Sequence, residues 1–197
     1  MKKIIFMRHG YLEGKYDDYS KLDFNDFENL LLKRITPRVN RYLTKRELQS
    51  KKILSEVEFI ICSSENRSIE TAQIVKEIIG VEFEISSLLD EISFKKGIIE
   101  EKDIKDFNTL RKIILTKFHK SKHSENFDVV KKRFLGFLDY VKELNYDTIL
   151  CVTHGWFMRL INIYSVRNSL ENVSFKELLD TRVPDFLDTV EVKIGNQ

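Results

Sequence analysis

Two short apolar runs constrain this chain more than any other feature. Lys2-Lys3-Ile4-Ile5-Phe6-Met7 stops at Arg8-His9-Gly10, and Thr148-Ile149-Leu150-Cys151-Val152 stops at Thr153-His154-Gly155. Unbroken runs of aliphatic residues at this length fit strands buried on both faces. Parallel strands of that kind need helices above and below them, and helix-like stretches do separate the runs here. In open sheets of this type ligands bind in the crevice beyond the carboxyl ends of the strands. Two histidines released at such ends can therefore act on one ligand.

The apolar periodicity fills in the rest. It predicts a strand over 2–7 and a helix over 24–33, with Phe24, Phe27, Leu30 and Leu31 on one side. Pro37 interrupts, and Thr44 then reads as the N-cap of a helix running to about 55. Val57 to Cys62 is a second strand, followed by a helix over 67–79 closed by Gly80. Residues 81–86 alternate apolar and acidic side chains, as in a strand exposed on one face. Helices are expected over 101–118 and 126–143, a strand over 148–152, helices over 156–165 and 174–180, and a last strand over 186–194. Strands alternating with helices define an α/β fold, a three-layer αβα sandwich with a mostly parallel central sheet. Trp156, Phe157 and Met158 are expected in its core.

With 197 residues, only two prolines and seven glycines, the chain reads as one domain over 1–197 without a flexible linker. A net charge of +2 asks for no nucleic acid, and no apolar run approaches the ~20 residues that span a bilayer. Met1 leads straight into a strand with no apolar signal segment, so a cytoplasmic location is the expectation. Cys62 and Cys151 lie in apolar runs and read as buried free thiols. Charge is uneven along the chain: residues 11–28 are acidic and residues 33–52 basic. These are either solvated helix faces or a segment that sorts substrates over a site.

Arginine and histidine side by side at a strand end suit phosphate chemistry. The guanidinium is always charged and forks onto phosphate oxygens. A neutral imidazole is a nitrogen nucleophile near pH 7. After the second strand come Ser63-Ser64-Glu65-Asn66-Arg67 and then Thr71-Ala72, which sets Arg67 near a helix amino terminus, where anions are favoured. Glu70 offers Arg67 a competing ion-pair partner. Leu89-Asp90-Glu91 follows the third strand and supplies two candidate carboxyls for acid–base work. His119 and His123, in a lysine-rich stretch, have no metal-site spacing and read as surface.

Arg-His-Gly, Ser-Glu-Asn-Arg with Thr-Ala, Leu-x-Glu and Thr-His-Gly, in that order, resemble the motifs of the histidine phosphatase superfamily, in its phosphoglycerate mutase-like branch. Leu43-Thr44-Lys45-Arg46-Glu47-Leu48-Gln49 is similar to a further stretch of that family. The resemblance implies that His9 is the nucleophile and takes the phosphoryl group on a ring nitrogen. It implies that Arg8, Arg67, His154 and the Gly155 backbone hold the phosphoryl oxygens. It implies that Glu91 is the general acid and then the base, although Asp90 has the same chemistry. No cofactor or metal is implied, and the substrate would be a small phosphorylated metabolite.

The chain departs from the family pattern just after the triplet. Tyr11-Leu12-Glu13-Gly14-Lys15-Tyr16 follows Gly10, and no Asn occurs before Asn25. The stretch 15–42 reads as an insertion or lid. Ser93-Phe94-Lys95-Lys96-Gly97 replaces the usual continuation after the acid, and the run typical of mutases is missing after Glu91. Phosphomonoester hydrolysis is therefore expected ahead of mutase transfer. A phosphoprotein phosphatase, including one for phosphohistidine, and a non-catalytic phosphate-binding module are the alternatives.

Overall fold

The computed structural model describes residues 1–103 and 106–195. Five strands form one sheet in the order β3-β2-β4-β1-β5. The strands are β1 (Lys2–Arg8), β2 (Phe59–Cys62), β3 (Phe83–Ile85), β4 (Thr148–Thr153) and β5 (Thr189–Ile194). All neighbours are parallel except β5, which runs antiparallel to β1. Among the described residues seven α-helices surround the sheet: α1 (Phe24–Leu31), α2 (Arg41–Gln49), α3 (Asn66–Ile79), α4 (Phe107–His119), α5 (Phe127–Glu143), α6 (Gly155–Arg167) and α7 (Phe175–Asp180).

The central strands bury both faces. Ile4, Phe6, Ile149 and Cys151 join Phe134, Phe137 and Val141 of α5 and Phe157, Leu160 and Ile161 of α6 in one core. Ile5, Met7, Leu150 and Val152 point the other way and join Leu48 of α2 and Ala72 and Val75 of α3. This is the expected αβα sandwich. Phe157 and Met158 are in the core, but Trp156 is only half buried and faces a cleft. Both cysteines are buried free thiols.

Two helix starts differ from expectation. The N-cap of α2 is Asn40, whose Oδ1 accepts the Leu43 N–H at 3.1 Å, and the helix ends at Gln49 before a short 3-10 turn over Lys52–Glu56. Thr44 sits inside α2, fully buried, because its side chain packs against Gly10. A Cβ at Gly10 would lie 2.5 Å from the Thr44 side chain, so that close approach demands glycine. The helix expected over 101–118 begins at Phe107, where the Asp106 side chain accepts the Thr109 N–H at 2.8 Å; residues 104–105 of that stretch lie outside the described residues. His119 is half buried, against Phe127 and Phe175, while His123 is exposed.

Register then positions the site. Arg8 pairs with Thr153 and Cys62 with Val152, so β1, β4 and β2 end together. The Thr44 hydroxyl is buried and has no hydrogen-bond partner among the described residues. Replacing it by a methyl group of the same shape removes an unmet polar group. We expect Thr44→Val to raise urea-unfolding stability by about 1 kcal/mol and Asn40→Ala to lower it by about 1 kcal/mol. The reverse order would restore Thr44 as the cap.

Candidate active site

His9 is the first residue past β1, and its N–H donates to the Thr153 carbonyl at 2.9 Å. The ladder thus runs one step beyond the strand and fixes the His9 backbone. The ring Nδ1 lies 3.0 Å from the Gly10 carbonyl. A carbonyl only accepts, so Nδ1 carries the proton and Nε2 keeps its lone pair. Burial pushes the His9 pKa well below 6.5, and Arg67, His154 and Arg8 add to the shift. The ring is neutral at pH 7.

His154 stands beside it, with ring centroids 5.4 Å apart. Its Nδ1 accepts from Arg67 Nε at 2.9 Å, so its proton is on Nε2, which lies 2.7 Å from the Ser63 hydroxyl. Ser63 in turn donates to Asp90 at 2.8 Å. Asp90 also accepts from the Ser64 N–H and hydroxyl, so it closes a hydrogen-bond chain that starts at Arg67. Both ring nitrogens of His154 are engaged by protein groups. Its pKa is also held well below 6.5, first by burial and then by Arg67.

Arg67 is the second residue of α3 and is buried. Its ion-pair partner is Glu65, at 2.6 Å, and not Glu70, which instead accepts the Val39 N–H at 2.7 Å. Arg8 donates to the Pro184 carbonyl at 3.0 Å and to the Tyr19 hydroxyl at 3.3 Å, and stacks 4.2 Å above the Phe186 ring. Its Nε is buried without a partner among the described residues. Gly155 packs against it: a Cβ there would lie 3.4 Å from the Arg8 guanidinium. As the first residue of α6, Gly155 has an N–H that the helix itself cannot satisfy.

Glu91 is buried and receives the Phe157 and Trp156 N–H groups at 2.8 and 3.0 Å. It serves as the cap that His154, the N-cap residue, does not supply by its own side chain. Burial raises its pKa above 4.5, Arg67 opposes this, and Glu65 adds to it. Asp90, by contrast, is turned toward Ser63 and Ser64.

Sequence reasoning missed several neighbours. Lys33 pairs with Glu65 at 2.8 Å and donates to the Glu91 carbonyl at 3.0 Å. Its chain segment thereby reaches the site, as the uneven charge of this region hinted. Phe186 and Pro184 precede β5, and only the antiparallel direction of that strand brings them to this edge. A small cavity of about 30 Å³ is lined by His9, Arg67, Lys33, Glu91, Leu30 and Leu31. A larger cleft of about 690 Å³ holds Arg8, Gly155 and Arg159, and Tyr19, Glu91 and Trp156 border both. Among the described residues no group of three or more His, Cys, Asp and Glu is arranged to hold a metal. No helix among them is long and apolar enough to cross a membrane.

One sheet edge thus carries an Arg-His pair, a second arginine, a second histidine and a buried glutamate. The family model for the histidine phosphatase superfamily (branch 1) matches residues 42–180, and the chain belongs to that superfamily. A protein of Hydrogenobacter thermophilus, named "Putative phosphoserine phosphatase 2", is 26% identical over 181 residues, covering 88% of this chain and 83% of its own. Among solved structures, the mycobacterial glucosyl-3-phosphoglycerate phosphatase with inorganic phosphate superposes with a TM-score of 0.69 at 11% identity, over 98% of this chain and 90% of that one. YhfR of Bacillus stearothermophilus gives a TM-score of 0.65 at 17% identity, over 99% and 92% of the two chains. At these identities the structural likeness speaks for the fold, which is that of the phosphoglycerate mutase-like phosphatases.

Both histidines make stability depend on pH. Unfolded, each binds a proton near pH 6.5; folded, each does so only at much lower pH. Stability contributed by neutral burial is therefore present above 6.5 and lost as pH falls below it. Glu91, with a raised pKa, acts in the opposite sense over the range above 4.5. Between pH 6.5 and 5 we expect unfolding free energy to fall with pH. His9→Gln should flatten the slope by up to about 1.4 kcal/mol per pH unit. An unchanged slope would mean that His9 is charged in the folded protein.

Proposed function

We propose that the chain is a phosphatase that hydrolyses a phosphomonoester through a phosphohistidine on His9. The observation that carries this is the His9 ring itself. It is neutral, held by a hydrogen bond from Nδ1 to Gly10, and set among two arginines with Nε2 left to react. Nε2 attacks phosphorus as the bond to the ester oxygen breaks. Glu91, whose protonated form burial favours, gives a proton to that oxygen, and the alcohol leaves. Glu91, now a carboxylate, takes a proton from water. The water attacks phosphorus, the N–P bond breaks, and orthophosphate and neutral His9 are restored.

Arg8 and Arg67 would hold the phosphoryl oxygens, their permanent charge meeting the charge spread over the transition state. The Gly155 N–H at the start of α6 adds a donor. His154 stays neutral and fixes Arg67 through Nδ1, and its Nε2–H, shared with Ser63, is the donor it can turn to a phosphoryl oxygen. Glu91 fits the acid better than Asp90 because it borders both cavities while Asp90 is consumed by serines. The arginines make a metal unnecessary for this chemistry.

The segment 15–42 acts as a lid in this reading. Tyr19, Phe27, Leu30, Leu31 and Lys33 cover His9 and Arg67, and Lys33 is anchored to Glu65. An enclosed reacting centre favours a small phosphorylated metabolite over a phosphoprotein. The Hydrogenobacter relative is named for phosphoserine, and a phosphomonoester of that kind would fit an enclosed centre.

Kinetics on alkyl and aryl phosphates test the scheme. We expect His9→Ala to lose at least about 10³-fold in kcat. Glu91→Gln should lose ~10²–10⁴-fold in kcat/KM with alkyl phosphates, whose leaving oxygen needs a proton, and far less with p-nitrophenyl phosphate, since kcat/KM ends at formation of the phosphohistidine and leaves out the water step that both substrates share. Chelators should leave turnover unchanged. Equal losses for both leaving groups would remove Glu91 from the acid role, and retained turnover in His9→Ala would sink the scheme.

A further inference from the structure

We infer that the large cleft holds a second anion-binding subsite, built by Arg159 and Arg111, which selects phosphomonoesters carrying a second anionic group. The inference rests on the phosphatase reading in taking the Arg8 end of the cleft as the phosphoryl end. Arg159 is 1% exposed. Its Nη1 donates to the Leu178 carbonyl at 2.6 Å and to the Thr181 carbonyl, at the end of α7. Its Nε and Nη2 are buried with no hydrogen-bond partner among the described residues. No described carboxylate forms an ion pair with it. A buried guanidinium is costly without an opposite charge, and this one lines the cleft.

Arg111 of α4 lines the same cleft, and its Nε is also buried and unpartnered among the described residues. Neither arginine has an ion-pair partner among the described residues, and each lies in the other's field. Burial and then Arg111 draw the Arg159 pKa down to about 10, so it still carries its charge at pH 7. The acids along the cleft are engaged by other partners. Asp17 and Asp18 pair with Lys21, exposed Asp185 with Arg182, and Glu91 caps α6. An anion arriving between Arg111 and Arg159 would meet four donors or more that the protein leaves unused.

The helix sets the spacing. Gly155 and Arg159 are four residues apart on α6, about 6 Å along its axis. Helical side chains lean toward the amino terminus, so Arg159 reaches back over the turn of Trp156; the guanidinium lies 5.9 Å from the Trp156 ring. A ligand with its phosphoryl group at Arg8 and Gly155 would therefore place a second anion a few bonds away. A carboxylate and a second phosphate share the chemistry that two guanidinium forks recognise.

Calorimetric binding of non-hydrolysable phosphonates tests this without turnover. The ligands are propylphosphonate, 3-phosphonopropionate and propane-1,3-bisphosphonate. We expect one or both dianchored ligands to bind the native protein at least about tenfold tighter than propylphosphonate, about 1.4 kcal/mol, and whichever gains more identifies carboxylate or phosphate as the second group. The advantage should fall below about threefold in Arg111→Gln. That residue is half buried and makes no described hydrogen bond, so the variant avoids the cap of α7 that Arg159→Gln would disturb. Equal affinity for all three ligands, or an advantage intact in Arg111→Gln, overturns the inference. Discrimination that persists in a protein without phosphatase turnover would uphold the subsite and defeat the phosphatase reading instead.

Discussion

The parallel pairing of β1 with β4 is the constraint on which the rest depends. Arg8 opposite Thr153 brings His9 and His154 past the sheet edge side by side. Cys62 opposite Val152 delivers Ser63, and through the start of α3 Arg67, to the same place. A slip of one residue in either pairing would turn these side chains to the opposite face. Dense burial of Ile4, Phe6, Ile149 and Cys151 on one side, and of Ile5, Met7, Leu150 and Val152 on the other, makes that slip costly.

Charge is managed by the same economy of position. Two arginines and a lysine converge where burial disfavours charge, and one carboxylate, Glu65, meets both Arg67 and Lys33. The histidines respond by staying neutral, and Glu91 by holding its proton more firmly. The lowered pKa of the His9 imidazole and the raised pKa of the Glu91 carboxyl are opposite shifts with one leading cause, desolvation. The Arg67–His154–Ser63–Asp90 chain then fixes which nitrogen of His154 carries the proton.

Much of this was legible in the sequence because it is local. A strand followed by Arg-His-Gly, a strand followed by Ser-x-Glu-x-Arg, and a strand followed by Thr-His-Gly each announce a side chain at an edge. The N-cap of α2 was misplaced because Thr44 has the right residue type for a cap but serves as a wall for Gly10, which is a tertiary contact. Lys33, Phe186 and Arg111 were not seen, since each reaches the cleft from a distant segment whose direction no local pattern records. Arg159 had no signal beyond its place one turn after Gly155. Trp156 looked like core because its neighbours Phe157 and Met158 are core; helical rotation alone turns it to the cleft.

The central claim is that His9 Nε2 becomes phosphorylated while Nδ1 keeps its bond to Gly10. Rapid quench of the native protein with an aryl phosphate, followed by ³¹P NMR and peptide mapping under alkaline conditions, measures this directly. The account predicts an acid-labile phosphoramidate on His9 at Nε2. Phosphate on His154, on the other nitrogen of His9, or on no residue at all during steady turnover would contradict it.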